Sequence, residues 1–440
     1  MALLAEQLER VPLSRFHYLL LLLIGLPYCF VSMDVLLISL VLPLLKERWV
    51  LPGGLTGFLA GSAFIGMFIG ASLWGYVSDI IGRKRALELT IVMFTAFTGL
   101  SALSWDWPSM ILMRILTGAG LGGCIPICFV YLAEFIPAES RGRFLVLLDS
   151  FWAYGWILAT LLGYLVIPPF GWQAFFLTGA APVVIVPIVH LALPESVRYL
   201  EEKGRTEEAR SVLERIGRIS GMEFETEPLK GLKPKEAAKV PIGELWSRRY
   251  RRRTIFSWVM WFSMVYGYYS LVLWVVGFMR TSGYPLPSAM LNAFITSFAQ
   301  IPGYFTSAWL IERIGRKPTL ATYLTMTSLS TMGFALSKDV PQLITSLSAI
   351  NFFCLGAWGV VMVYCTELYP TRMRGTGYGA ASGFGRLAGI IGPTVVGYLL
   401  DSYGLFATLG ATAAVFLVGA VNAAVLGIET RGRTLEEISE

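Results

Sequence analysis

Long apolar runs recur along nearly the whole chain, and most reach the length of about 18 residues at which a helix can cross a bilayer. A hydropathy window of about 19 residues separates twelve such runs. They lie near residues 16–45, 56–78, 86–105, 108–132, 144–167, 172–193, 254–279, 288–311, 319–337, 341–366, 377–400 and 404–428. In lipid, a helix satisfies its backbone hydrogen bonds within one segment. The pattern therefore predicts an all-α membrane protein with twelve transmembrane helices.

The composition excludes a soluble globular protein of this length. Only 15% of the 440 residues are charged and 55% are hydrophobic, whereas soluble domains carry about 25% charged residues. The net charge of +6 comes from short basic clusters between the apolar runs. That placement is typical of membrane proteins and not of a nucleic-acid-binding patch. We therefore expect a lipid bilayer as a partner and no nucleic acid.

The cysteines and histidines give no sign of a metal site or a catalytic centre. All five cysteines lie in apolar runs, and the chain has two histidines. The cysteine spacings match neither a zinc site nor a disulfide framework. The glycine-rich strings follow no strand, so they do not indicate a nucleotide site. We expect no metal, no cofactor and no enzymatic activity.

The loops between the runs fall into two sets that differ in charge. One set holds the basic clusters, which are RKR (83–85), RGR (141–143), SRRYRRR (247–253), RIGRK (313–317) and RMR (372–374). The alternate loops, such as SWDWPSM and SKDVPQ, hold few basic residues. By the positive-inside rule, the basic loops and both termini lie in the cytoplasm. This predicts a multi-pass protein of the inner membrane, with a basic face inside and the opposite face outside.

Two of the basic loops repeat one another at a fixed displacement along the chain. GYVSDIIGRK carries Asp79, Gly82, Arg83 and Lys84, and WLIERIGRK carries Glu312, Gly315, Arg316 and Lys317. The same displacement relates Glu134 to Glu367 and Arg141 to Arg374. Two independent loops that repeat at one displacement indicate two six-helix halves.

The repeat divides the chain into domains. We assign residues 1–193 to an N-terminal six-helix bundle and 254–428 to a C-terminal one. Between them, 194–253 is a predicted cytoplasmic loop, and 429–440 is a cytoplasmic tail. The loop contains TEEARSVLERIG, which predicts a short amphipathic helix capped by Thr206.

The repeated loops place acids and bases where they can form a charge network at the cytoplasmic helix ends. We interpret the network as a gate that holds the two halves together while the binding site is open to the outside. Its members are the residues of the two repeated loops together with Glu134, Arg141, Glu367 and Arg374. The alternative is a set of topology signals and solvated charges, whose isolated pairs contribute about 0–1 kcal/mol.

GYVSDIIGRK and its second copy resemble the loop motif of the major facilitator superfamily. PESVRYL (194–200) and ETRGRTLEEI (429–438) resemble marks of its sugar-porter-related branch. The opening segment RVPLSRFHYLLLLLIGL is similar to bacterial niacin-type and synaptic-vesicle-glycoprotein-like organic ion transporters. These resemblances imply the two-bundle fold and transport by alternating access.

Two opposite charges are predicted at similar depth in the membrane. Asp34 lies in the first span and Arg114 in the fourth, and at about 1.5 Å per residue both belong to the outer half of the bilayer. We expect them to pair, since an ionisable group there costs at least about 2.5–3.5 kcal/mol. Arg114 with Gly118, Gly120 and Gly122 resembles the RxxxGxGxG motif of proton-coupled sugar symporters. The resemblance implies proton coupling through Asp34 and Arg114; the alternative is a structural ion pair.

A lone cation is predicted near the bilayer midplane. Arg386 lies about nine residues into the eleventh span, at the depth where such folds bind substrate. A guanidinium group suits a carboxylate, which it can bind through two hydrogen bonds. The string RLAGIIGP is similar to that of organic-ion transporters and implies an anionic substrate. Alternatively, Arg386 caps backbone carbonyls or pairs with Asp149 of the fifth span, which is also a candidate substrate contact.

The seventh span is rich in aromatic residues, and the resemblance implies that it lines the cavity and bends near its outer half. Aromatic and amide side chains could contact a flat substrate, although packing or interface roles are common for such residues. The candidates are Trp258, Trp261, Tyr266, Tyr268, Tyr269, Asn292, Gln300 and Asn351.

The favoured function is proton-coupled symport of a small planar organic anion, such as a nicotinate-like carboxylate, by a monomer. A sugar:proton symporter fits the sugar-porter marks and the Asp34–Arg114 pair equally well. An organic cation transporter would need Asp34 or Asp149 as its substrate contact. A receptor without transport activity is the remaining alternative, and proton coupling would be unnecessary for it.

Overall fold

The structure is a computed structural model that describes residues 7–8, 11–222, 242–369 and 371–431. Within these ranges the regular elements are helices, and no strand occurs. The longer helices are Arg15–Trp49, Gly53–Ile81, Arg83–Ser101, Trp107–Phe135, Ala138–Thr178, Ile185–Ala192, Thr206–Ser220, Arg251–Val272, Leu286–Ser297, Gln300–Arg313, Arg316–Ala335, Val340–Glu367 and Thr371–Leu426. The shorter ones are Val197–Glu202 and Val275–Thr281, with 3₁₀ turns at Ala181–Val184 and Ile242–Trp246.

Two very long helices continue from one predicted span into the next: Ala138–Thr178 covers the fifth span and the start of the sixth, and Thr371–Leu426 covers the eleventh and nearly all of the twelfth. Ala138–Thr178 loses helical geometry at Gly171, and Thr371–Leu426 loses it at Gly404. Both glycines have a positive φ, 79° and 77°, which a residue without a Cβ adopts at little cost. Seven of the described helices are long and apolar enough to cross a membrane. Once these breaks and the shorter helices are counted, the expected all-α fold with twelve spans is confirmed.

The seventh and eighth spans are interrupted. The seventh runs as Arg251–Val272 and resumes as Val275–Thr281, and the eighth runs as Leu286–Ser297 and resumes as Gln300–Arg313. The break in the seventh span lies in its second half, as the resemblance implied.

The amphipathic helix between the two halves is present as Thr206–Ser220. Its buried residues include Ala209, Leu213 and Ile216, which recur every three or four positions on one face. The prediction that Thr206 caps this helix is wrong, because Thr206 is its first helical residue and no side chain caps it. The remainder of the predicted loop at 223–241 and the tail at 432–440 lie outside the described residues.

The internal repeat extends from the sequence to the backbone. Gly82 and Gly315 have φ of 101° and 98°, and each precedes a helix that starts with an arginine. Asp106 and Asp339 cap the next helices of the two halves by accepting amide hydrogen bonds of 2.9 and 2.8 Å. Gly171 and Gly404 are related by the same displacement as the two charged loops. The two halves of the chain therefore follow the same backbone path at these positions.

Residue contacts divide the chain into two compact units. The first holds residues up to Val35, Gly66–Trp156 and a segment that begins at Gln173. The second holds Leu36–Ile65, Ile157–Trp172 and the described residues from 242 onward. The bundle boundaries at residues 193, 254 and 428 stay a prediction.

We expect Gly404→Ala to lower the thermal unfolding temperature of the detergent-purified protein. No atom lies within 4 Å of the position of an added Cβ, so a steric clash with neighbours is not the cause. The stability is lost because a non-glycine residue with positive φ costs about 1–2 kcal/mol. Gly379→Ala is the matched control, because its Cβ also meets open space and its φ is not positive. Equal unfolding temperatures for both variants would contradict this explanation of the break.

Candidate functional site

Asp34 and Arg114 form an ion pair that is sealed from water. The Arg114 guanidinium donates to Asp34 Oδ1 at 2.9 Å and to the Asp34 carbonyl at 3.3 Å. Both side chains are 1% exposed. Thr98, on the third span, donates its hydroxyl to the other carboxylate oxygen. The predicted pairing is therefore present, and both carboxylate oxygens have a donor.

Glycines of the fourth span allow the neighbouring second and third spans to approach it closely. A Cβ on Gly122 would collide with the backbone of Met67, and one on Gly120 would lie 2.7 Å from the Phe94 nitrogen. On the second span, a Cβ on Gly66 would likewise collide with the Ile115 carbonyl. These close approaches leave little room for water beside a charged pair.

Asp149 is held by a tyrosine. Its carboxylate accepts a 2.9 Å hydrogen bond from the hydroxyl of Tyr28 on the first span, and Asp149 is 6% exposed. The Tyr28 ring in turn packs edge-on against Phe129 and tilted against Trp152. The predicted role of Asp149 in substrate binding stays a prediction.

Arg386 differs from these paired groups. It is partly buried in the eleventh span and makes no hydrogen bond or ion pair with any residue that the structure describes. The phenol groups of Tyr269 and Tyr378 lie within electrostatic range of its guanidinium.

The aromatic residues of the seventh span divide into two clusters. Trp261 contacts Trp358 and Tyr378 with ring centroids 6.0 and 5.4 Å apart, and Tyr269 lies 6.3 Å from Trp358. Tyr269 and Tyr378, which lie within electrostatic range of Arg386, both belong to this cluster. Tyr268, which is also in the seventh span, packs against Trp358 with ring centroids 5.4 Å apart.

The second cluster lies apart from these contacts. Trp258 stacks on Phe384 at 4.6 Å and meets Trp246 at 5.3 Å, and Tyr266 stacks on Phe262 at 6.0 Å. Sequence reasoning named Trp258 and Tyr266, whereas it missed Trp358 and Tyr378 in the tenth and eleventh spans. The aromatic content of those two spans was the available signal.

The predicted amide contacts are only partly joined. Gln300 donates to Asn351 at 2.9 Å, and Asn351 donates to the Leu347 carbonyl at 3.0 Å. The Gln300 carbonyl oxygen is buried without a hydrogen-bond partner in the described part of the chain. Asn292 is buried, and its side chain bonds to neither of the other two amides.

The first charged loop forms a network around Arg83. Its guanidinium lies 2.9 Å from Asp79 and 3.2 Å from Glu134 and donates to the Ser78 carbonyl. The backbone amides of Arg83 and Lys84 donate to one oxygen of Glu195, at 2.9 and 3.1 Å. Glu195 therefore caps the start of the third span.

The second charged loop repeats this network. Arg316 bonds both oxygens of Glu367, at 3.1 and 3.0 Å, and donates to the Ile311 carbonyl. The amides of Arg316 and Lys317 donate to Glu429 at 3.0 and 3.1 Å. The two copies differ at Glu312, which is exposed and forms no ion pair within the described residues, unlike Asp79.

The remaining residues of the predicted gate include two arginines. Arg141 donates twice to the Ile136 carbonyl, at 3.2 and 3.1 Å. The Arg374 side chain lies outside the described residues. Each of the two networks closes within its own half of the chain, so the proposed latch between the halves stays a prediction.

Glu195 and Glu429 are the residues of the two charged-loop networks that sequence reasoning missed. They lie in PESVRYL and ETRGRTLEEI, and their separation exceeds the repeat displacement by a single position. Each carboxylate reaches the glycine before the capped helix: a Cβ on Gly82 would collide with Glu195, and a Cβ on Gly315 would collide with Glu429. The glycines are therefore needed both for their positive φ and for this close approach.

The Ser196 amide also donates to Glu195, at 2.9 Å. Burial raises the pKa of the Glu195 carboxyl, while the three amides of Ser196, Lys84 and Arg83 and the Arg83 charge oppose the shift. A group with a raised folded-state pKa stabilises the fold most below its ordinary value of 4.5 and loses that contribution as the pH rises through the folded-state pKa.

We expect Glu195→Gln and Glu195→Ala to behave differently. Gln keeps one oxygen as acceptor for the three amides, so the unfolding temperature of Glu195→Gln at pH 7 stays near that of the native protein. Because Gln does not titrate, this variant lacks the rise in stability that protonation of Glu195 gives at low pH. Ala leaves the amides without an acceptor, at about 1–3 kcal/mol for each group left unsatisfied, and lowers the unfolding temperature at every pH. Thermal unfolding of detergent-purified variants across a pH series measures both effects.

Glu202→Gln is the control, since Glu202 is exposed at the end of the short helix Val197–Glu202 that follows Glu195. An identical pH dependence for the native protein and Glu195→Gln would refute the account.

Comparison with known proteins identifies the family. The family model described as "Sugar (and other) transporter" matches residues 47–440. The niacin transporter of Acinetobacter baylyi is 36% identical over 437 residues, covering 99% of each chain. The putative niacin/nicotinamide transporter of Bacillus subtilis is 34% identical, covering 94% of this chain and 96% of its own.

Solved structures give the same fold. The xylose transporter XylE of E. coli in its inward open conformation superposes with a TM-score of 0.76 at 19% identity, covering 96% of this chain and 99% of its own. The expectation of a transporter and not an enzyme is confirmed by these relatives together with the family match. The chain belongs to the sugar (and other) transporter family and is a multi-pass membrane transporter with the major facilitator fold.

Proposed function

We propose that the protein is a proton-coupled symporter that carries a small planar organic anion, such as an aromatic or pyridine carboxylate, by alternating access. The observation that carries this proposal is Arg386, a partly buried cation without a counter-ion among the described residues. A charge removed from water without a partner is unfavourable. A substrate carboxylate supplies the missing charge and accepts two parallel hydrogen bonds from the guanidinium.

The aromatic cluster beside Arg386 suits a flat substrate. Tyr269 and Tyr378 lie within electrostatic range of the cation, and their rings contact Trp358 and Trp261, respectively. An offset or edge-on ring contact contributes about 0.5–1.5 kcal/mol beyond its buried area. The names of the two relatives at 36% and 34% identity support a pyridine carboxylate, because niacin is one.

The coupled proton would bind at Asp34. With Asp34 ionised, its charge holds Arg114, and Thr98 fixes the second carboxylate oxygen. Protonation removes the charge that holds Arg114, so the first and fourth spans would lose their ion pair. The barrier to reorientation of the transporter would fall only when Asp34 carries the proton. This dependence is the requirement for coupling.

A sugar is the second candidate substrate. It is favoured by the description of the matching family and by the Gln300–Asn351 pair, whose unpartnered carbonyl oxygen could accept from a sugar hydroxyl. An organic cation is less favoured, since Asp34 and Asp149 already have hydrogen-bond donors and Arg386 would repel the substrate. A receptor without transport would have no need of the sealed Asp34–Arg114 pair.

The orientation follows from the basic loops. We propose an inner-membrane monomer with both termini in the cytoplasm, as the positive-inside rule requires. The two charged-loop networks then lie on the cytoplasmic side, where they would act as the gate that opens when the halves rock.

We expect Arg386→Gln to weaken nicotinate binding by at least about tenfold, which corresponds to the loss of about 1.4 kcal/mol or more, within the range for a hydrogen-bonded charge. Arg386→Lys should keep part of the affinity because it retains the charge without the planar fork. Binding is measured by calorimetry on purified protein, with xylose as the competing candidate.

Arg252→Gln is the matched control, because that arginine bonds the Val425 and Leu426 carbonyls and no acid. Normal nicotinate affinity in Arg386→Gln would eliminate the anion site.

We expect Asp34→Asn to abolish substrate accumulation driven by a pH gradient while exchange of substrate across the membrane continues. Asn cannot exchange a proton at neutral pH, yet its shape is that of the protonated acid. Uptake and counterflow in reconstituted vesicles separate the two activities. Asp106→Asn, at an N-cap of the fourth span, is the control. Accumulation against a gradient by Asp34→Asn would rule out the coupling role.

A further inference from the structure

The ends of the first and second spans that face the outside in the proposed orientation pack against the seventh and eleventh spans. All of these segments belong to the second compact unit, although the first two precede the predicted central loop and the others follow it. Ser39 donates to the Val272 carbonyl at 2.7 Å, and the rings of Phe64 and Tyr269 lie 4.4 Å apart.

The second and eleventh spans touch backbone to backbone. Gly53 and Gly57 lie four residues apart on one helix face, against Gly397 and Pro393 on the other helix. A Cβ on Gly57 would collide with the Pro393 carbonyl, and Cβ atoms on Gly53 and Gly397 would each collide with the other's carbonyl. One turn deeper, a Cβ on Gly61 would lie 3.0 Å from the Gly389 carbonyl. At these positions the two backbones meet directly, which small residues allow.

Asp401 closes the outer end of this contact. One carboxylate oxygen lies 2.6 Å from Lys46 Nζ, and the other accepts from the Gly53 amide at 2.5 Å. Gly53 is the first residue of the second-span helix, where amides lack a partner within the helix. Asp401 therefore caps a helix that begins far earlier in the chain, in the other half of the repeat.

We infer that Asp401 is the latch of an outer gate, which holds the second and eleventh spans together through Lys46 and the Gly53 amide. The inference rests on the proposed transport cycle, in which the two halves of the chain must separate on this side. Arg280 and Glu47 form a second exposed pair beside it, at 2.8 Å.

The exposure of the latch suits a contact that is repeatedly broken. The Lys46 and Asp401 side chains are 32% and 40% exposed, whereas Asp34 and Arg114 are 1% exposed. A cavity of about 240 Å³ is lined by Lys46 and by both members of the second pair. It is large enough for several water molecules, so these charged groups can be rehydrated as the helices part.

Asp401 also stands outside the internal repeat. Asp106 and Asp339, which are repeat partners, cap their own helices three residues ahead. The position equivalent to Asp401 in the first half is Pro168. Asp401 caps a helix of the other half and has no acidic counterpart in the repeat. Both features are expected of a residue that joins the two halves, and neither is expected of a residue that only caps its own helix.

The test is the outward accessibility of a residue beneath the latch. Ala60 is 2% exposed on the second span. Ala60→Cys is introduced after the five native cysteines are replaced by serine, and its modification by a membrane-impermeant thiol reagent, added from outside to reconstituted vesicles without substrate, is timed. We expect labelling to accelerate at least about fivefold in Asp401→Ala and by less in Asp401→Asn, since Asn still accepts from the Gly53 amide.

Asp339→Asn is the matched control and should leave the labelling rate unchanged. Unchanged labelling in Asp401→Ala, or equal acceleration in Asp339→Asn, would overturn the inference.

A charge swap separates the latch from a simple ion pair. Lys46→Asp with Asp401→Lys restores the pair but puts an ammonium group at the start of a helix, so fast labelling should persist. A return to the native rate would overturn the capping part of the inference. Since no substrate is present, a failure to transport nicotinate leaves this result unaffected.

Discussion

The cost of placing a charge in hydrocarbon governs the arrangement of this protein. An uncompensated ionisable group at bilayer depth is disfavoured by at least about 2.5 kcal/mol, and two of the three charged sites described within the spans have a local solution. Asp34 has Arg114 and Thr98, and Asp149 has Tyr28. Arg386 has neither an acid nor a hydrogen-bond acceptor among the described residues. This contrast between Arg386 and the other two sites is the reason for proposing that Arg386 binds an anionic substrate.

The internal repeat separates scaffold from function. The residues that recur at the repeat displacement determine the chain path: Gly82 and Gly315 start helices, and Gly171 and Gly404 end them. None of the intramembrane charges recurs. The partners of Asp34, Arg114, Asp149 and Arg386 at that displacement are Gly267, Leu347, Ser382 and Ala153. Duplication thus explains the fold, and departures from it mark the residues to which transport is assigned.

Sequence reasoning predicted the features that depend on one helix at a time. Span positions follow from hydropathy, and the depths of Asp34 and Arg114 follow from their distance to the helix ends. It missed Thr98 because a hydroxyl in a membrane helix normally bonds its own backbone, as Thr90 and Thr95 do. Which hydroxyl meets the acid depends on how the third span is rotated, which tertiary packing decides. The clusters around Trp258 and Trp261, only three residues apart, were indistinguishable for the same reason.

The charges in the proposed cycle also limit what can drive it. A carboxylate bound to Arg386 carries one negative charge, and a proton on Asp34 carries one positive charge, so one substrate and one proton cross together without net charge. The membrane potential acts on net charge, at about 2.3 kcal/mol per charge for 100 mV, and so would neither drive nor oppose that movement. The pH gradient alone would supply the energy. Within the proposed cycle, the buried Asp34–Arg114 pair would account for the one proton and Arg386 for the one anion.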